Sequence, residues 1–161
     1  FKKNSIFNKE DYENKFISTI KELKNYADTL EVDFYIENNV VISENLRKNK
    51  SMLLGTTIEE MARYKENTSA KILIDTGHLI VSSKTLGINE SNQLALAKYL
   101  ADAYHLSTNN RIRDQNKEFN NKDKIMQAVN WDADFYTIEV YSEAEGIKKS
   151  LDNLISFLEK N

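Results

Sequence analysis

The sequence predicts an α+β domain: an antiparallel or mixed sheet of about five strands, two hairpins plus a late strand, covered by N-terminal, middle and C-terminal helices. Three observations predict it. Apolar residues recur at helical spacing in the first, middle and last thirds of the chain. Two pairs of β-favouring runs flank turn-forming residues, Asn38-Asn39 and Asp75-Thr76-Gly77-His78. Helices separated by hairpins favour a sheet of this kind over a doubly wound parallel one.

From Lys9 to Leu30, Tyr12, Phe16, Ile20, Leu23, Ala27 and Leu30 step by three and four on one helical face, and Asn8 is placed to cap its N-terminus. Val32 to Glu37 and Val40 to Ser43 form a first predicted hairpin around Asn38-Asn39, a pair that tolerates left-handed backbone. A capping box of Thr57 with Glu60, or Thr56 with Glu59, opens a short helix carrying Ile58, Met61 and Ala62. The second predicted hairpin runs from Lys71 to Ser83, with Gly77 supplying the positive φ of the turn. The stretch Ile36 to Ser43 echoes Ile74 to Ser82, each followed by a helical pattern.

Ser91 to Leu106 predicts a buried helix with Leu96, Leu100, Ala103 and Tyr104 on one side, widened by Leu94, Ala97 and Ala101. Residues 107–124 form a polar, Asn-rich connection without periodicity, a length that inside a domain usually signals function or mobility. A short helix near Lys122 to Val129 closes it. Asp134 to Tyr141 reads as a strand. Ser142 with Glu145 suggests a capping box for a last helix whose face is Ile147, Leu151, Leu154, Ile155 and Leu158.

The 161 residues suit one domain, 9–161, behind a polar leader or linker at 1–8. Hydrophobic residues at 40% and charged residues at 29% describe a chain that folds. A net charge of −3 argues against a general nucleic-acid binder, and the absence of Cys excludes disulfides, thiolate metal sites and Cys nucleophiles. No apolar run approaches the roughly 20 residues of a membrane span. A soluble domain is expected, cytoplasmic or extracytoplasmic with its leader or anchor removed. The Asn- and Lys-rich composition without Pro looks like the coding bias of an AT-rich bacterial or phage-like genome.

Asp75-Thr76-Gly77 spells the triplet of aspartic proteases, but that chemistry needs two carboxylates sharing a proton, and only one copy is present. The apolar-Asp-x-Gly-apolar pattern also looks like the turns of PAS, GAF and roadblock-type domains over about a dozen residues. Leu54-Gly55-Thr56 loosely resembles part of the diadenylate cyclase domain, with Thr57-Ile58-Glu59 where that family has a basic triplet. His78 and His105, near Asp75 and Asp102, are candidate ligands or acid–base groups if the fold brings them together. The acidic residues Asp132, Asp134, Glu139, Glu143 and Glu145 lack the loop spacing of an EF-hand. Arg111 and Arg113 can reach phosphates, and Trp131 can anchor a partner.

The function expected from sequence is a non-catalytic binding or protein-interaction domain, sensory or regulatory, whose binding residues include Asp75, His78, His105, Arg111, Arg113 and Trp131. No catalytic residue, metal ligand or cofactor is assigned. The partner expected is a protein or a second copy, with a small ligand next and nucleic acid after that. One alternative is a DNA-binding regulator with a degenerate helix-turn-helix around 95–117. Another is a hydrolase or metalloenzyme centred on Asp75 and His78.

Overall fold

A computed structural model describes residues 8–49 and 53–160; the leader expected at 1–8 lies outside them except for Asn8. The architecture is α/β, with four strands in one parallel sheet and six α-helices interleaved among the described residues. Helix α1 (Lys9–Thr29) leads to β1 (Tyr35–Glu37), α2 (Ser43–Asn49), α3 (Ile58–Thr68) and β2 (Lys71–Asp75). Then come α4 (Thr76–Leu86), α5 (Glu90–Leu100), β3 (Ala103–Leu106), a 3-10 helix at Lys124–Ala128, β4 (Phe135–Ile138) and α6 (Ala144–Leu158).

The strand order is β1-β2-β3-β4, every neighbouring pair parallel, which replaces the expected five-stranded antiparallel or mixed sheet. Neither hairpin exists. In the second, Asp75 does not enter a turn: its Oδ1 accepts the His78 N–H at 2.8 Å and caps α4. Leu79, Ile80 and Val81 are buried on a helix enclosed on several sides, so they form a continuous apolar run without helical periodicity. A run of that kind reads equally as a strand. In the first, the chain leaves β1 after Glu37, and the Val41 N–H is satisfied by Ser82 Oγ at 3.0 Å rather than by a partner strand. The echo between the two segments is therefore a strand followed by a helix, through a short loop after β1 and directly after β2.

Several local signals hold. Asn8 accepts the Glu10 N–H at the start of α1. Thr57 accepts the Glu60 N–H while Glu60 reaches back to the Thr56 N–H at 2.8 Å, merging the two alternative boxes. Two others do not. The helix expected to run to Leu106 stops at Leu100, and Ala103 and Tyr104 belong to β3. Ser142 does not cap α6; its hydroxyl donates to Glu118 at 2.7 Å.

The pleat divides the sheet residues into two sets. Ile36, Ile72, Ile74, Tyr104, Leu106, Tyr136 and Ile138 join the apolar core with helical residues such as Ile20, Met61, Leu79, Leu94 and Leu154. The alternate positions, Tyr35, Glu37, Leu73, Asp75, Ala103, His105, Phe135 and Thr137, occupy the opposite face. A flat sheet would hold β1 and β4 roughly 14 Å apart. Instead the rings of Tyr35 and Phe135 lie 5.2 Å apart, and Tyr35 Oη donates to Asp134 at 2.7 Å. The sheet thus curls about the face that the core helices do not cover. Sequential parallel strands with this curl have the geometry of a barrel sector, in which the strands' C-terminal ends converge on the concave side.

Candidate metal centre at the carboxyl ends of the strands

Each of the four strands delivers one titratable side chain to that convergence: Glu37 closes β1, Asp75 closes β2, His105 stands near the end of β3, and Glu139 follows β4. The register pairs Asp75 with His105 and His105 with Thr137, while Glu37 pairs with Leu73, two residues before Asp75, and Glu139 lies two residues beyond Thr137; the even offsets put all four on one face, staggered along the strands. One ligand-type atom from each of Glu37, Asp75, His105 and Glu139 lies within 4.8 Å of all the others.

The contacts inside the group are close but poorly aligned. His105 Nδ1 lies 3.0 Å from Glu139 Oε2 and 3.3 Å from Glu37 Oε1. Yet His105 Nδ1, Glu139 Oε2 and Asp75 Oδ2 are buried atoms without a hydrogen-bond partner. The Asp75 side chain is fully buried, a costly place for an unpaired carboxylate oxygen. Burial pushes the Asp75 carboxyl up to about 7, with the neighbouring Glu139 adding to the rise and His78 opposing it. Contact with His105 holds Glu37 below the ordinary carboxylate range despite burial, and the same contact raises His105.

His78 stands beside the group. Its Nδ1 donates to the Asn38 carbonyl at 2.9 Å, and its Nε2 faces Asp114 Oδ2 at 3.1 Å. A neutral ring would turn a lone pair toward one of these two acceptors, so the geometry selects the imidazolium, with both nitrogens donating. Burial works against that charge; Asp75, the Asn38 carbonyl, Asp114 and Glu37 together outweigh it and raise the ring's pKa. A cavity of about 210 Å³, lined by Glu37, Asn38, His78, Gly55 and Tyr64 among others, adjoins the cluster.

Of the residues singled out in the sequence, Asp75, His78 and His105 converge. Arg111 does not: it makes a two-pronged pair with Glu90 at 2.6 and 2.9 Å. Arg113 is exposed and lies 3.7 Å from Glu44, and Trp131 stacks on Phe157 at 6.0 Å near the end of α6. The segment 95–117 holds the end of α5, strand β3 and a loop, so no second helix stands where a recognition helix would. Sequence reasoning missed Glu37 and left Glu139 among unrelated acids. The signal that finds them is shared: Tyr-Ile-Glu37, Ile-Leu-Ile-Asp75, Ala-Tyr-His105 and Tyr-Thr-Ile-Glu139 are each a β-favouring run ending in a potential ligand.

Three carboxylates and one imidazole form a hard-to-borderline donor set, suited to Mn²⁺ and comparable divalent ions. The chain matches no protein-family model and none of the curated proteins. No helix among the described residues is long and apolar enough to cross a membrane.

Proposed function

We propose that this domain binds a single divalent cation through Glu37, Asp75, His105 and Glu139 and is the metal centre of a metalloenzyme. The observation that carries the reading is the buried Asp75 Oδ2, without a hydrogen-bond partner and aimed among three other donor atoms at the carboxyl ends of parallel strands. A cation there would compensate three carboxylates at once and satisfy the orphaned oxygens. Four protein ligands leave roughly two of six octahedral positions for water or a substrate oxygen. The ion would polarise a hydroxyl, carbonyl or phosphoryl oxygen, while His78, its pKa raised by Asp75, the Asn38 carbonyl and Asp114, would supply a proton at the same mouth.

Mn²⁺ titration of the metal-stripped chain by calorimetry and electron paramagnetic resonance tests the binding. One ion per chain is expected, with affinity falling at least about 100-fold in Asp75→Asn and Glu139→Gln, beyond the usual cost of losing an outer partner. No saturable binding, or variants that bind as the native chain does, would refute the reading. Water-proton relaxation by bound Mn²⁺ separates its two parts: exchanging water on the ion supports an open, catalytic site. A closed shell would assign the ion to structure and return the domain to a non-catalytic binding role.

A further inference from the structure

Asn38 follows Glu37 directly and is buried, and its side chain performs an unusual task. At the end of the β1–β2 ladder its backbone N–H still reaches the Leu73 carbonyl, but the chain then turns away. The peptide groups of Asp75 would lose their partners there. The Asn38 carboxamide takes both: Nδ2 donates to the Asp75 carbonyl at 3.1 Å, and Oδ1 accepts the Asp75 N–H at 2.6 Å. A primary amide presents the donor and acceptor of a peptide unit, so the side chain extends the ladder by one step without extending the strand. The Asn38 carbonyl meanwhile accepts from His78 Nδ1 at 2.9 Å.

We infer that Asn38 is a positioning residue for the cation site, an inference that rests on the metal reading above. Through one residue, β1 fixes three groups: Glu37 as its chain neighbour, Asp75 through the carboxamide and His78 through the carbonyl. The strand end is where this matters. A regular ladder would hold Asp75 in place by itself; here the backbone partner is gone, and without the carboxamide the Asp75 peptide could rotate and draw Oδ2 away from Glu37, His105 and Glu139. Asp cannot replace Asn, since a carboxylate accepts the Asp75 N–H but repels its carbonyl.

The test measures Mn²⁺ affinity by calorimetry, and the visible spectrum of bound Co²⁺, for the native chain, Asn38→Ala and Asn38→Asp. Tyr104→Phe serves as a control, because it deletes another buried hydrogen bond, to the Ala128 carbonyl, on the core side of the sheet. Both Asn38 variants are expected to bind Mn²⁺ about 10–100-fold more weakly, with a shifted Co²⁺ spectrum, as for loss of an outer partner. The control should lose stability while keeping affinity and spectrum. Native-like affinity and spectrum in folded Asn38 variants would overturn the inference. So would failure of both variants to fold, which would assign Asn38 to stability alone. If the native chain itself binds no ion, the metal reading fails and this inference with it; native binding with unaffected variants removes this inference only.

Discussion

Gly77 lies in the first turn of α4, where the loop after β3 packs closely against it. A Gly after Asp-Thr suggests a turn with positive φ, but Gly77 sits in the first turn of α4 and is absent from the positive-φ positions. What requires it is space. A Cβ there would meet Ser107 Oγ at 2.4 Å and Asp75 Oδ1 at 3.2 Å, while Asn109 Nδ2 donates to the Gly77 carbonyl at 2.7 Å. The loop after β3 packs against the N-terminus of α4 beside the Asp75 cluster. Gly77→Ala should therefore cost about 1–3 kcal/mol by overpacking, read from the midpoint of denaturant unfolding, and weaken Mn²⁺ binding by displacing Asp75. A variant as stable as the native chain would show that Ser107 yields freely.

At the scale of elements, apolar periodicity does not by itself identify the buried side of a helix. The sequence pattern predicts one broad face for the last helix, yet on α6 Leu154 is buried while Ile147, Leu151 and Ile155 are at least 39% exposed. The buried side is completed by Gly146 and Ser150, small residues that no hydrophobic pattern marks; Ser150 lies against the Phe119 backbone. Leu154→Ala should cost about 2–5 kcal/mol and Leu151→Ala about 0.5 kcal/mol, a contrast that chemical denaturation of the two variants would resolve. Equal losses would place both residues in the core. The 107–124 connection follows the same logic. It lacks periodicity because it is held by polar contacts, the Thr108–Lys117 bridge, the Arg111–Glu90 pair and the Tyr141 N–H on the Asn116 carbonyl, rather than by an apolar stripe.

For the molecule as a whole, the proposed cation site predicts that stability depends on pH and metal together. Asp75, His78 and His105 all have folded pKa values above their ordinary ones. Each contributes stability that is fully present below its unfolded value and lost as pH rises through its folded value. Glu37, shifted down, acts oppositely, its contribution disappearing as pH falls through its lowered value. Between about pH 5.5 and about pH 7.5 the first three dominate, so the chain held in a chelator should melt at lower temperature as pH rises. Divalent cation requires the deprotonated donors, so its stabilisation should grow over the same interval. At 100 times Kd it amounts to about 2.7 kcal/mol, or roughly 5–10 °C for a chain of this size. Thermal melts at both pH values, with Mn²⁺ and with chelator, check the two slopes; Asp75→Asn should flatten the first and abolish the second. A cation effect unchanged by that substitution would place the ion elsewhere.

The sequence by itself determined the helix starts at Asn8 and Thr57, the apolar runs that become β2 and β4, and Asp75, His78 and His105 as suspects. All are local consequences of capping, chain periodicity or side-chain chemistry within a few residues. Only the tertiary structure decided that the sheet is parallel, that Leu79 to Val81 continue a helix, and that Glu37 and Glu139 join Asp75 and His105. Strand direction depends on partners far apart in the chain, and an apolar run carries no sign of whether neighbours enclose it as strand or as helix. Four side chains lying between residues 37 and 139 become neighbours only when four parallel strands present them on one face and the sheet curls.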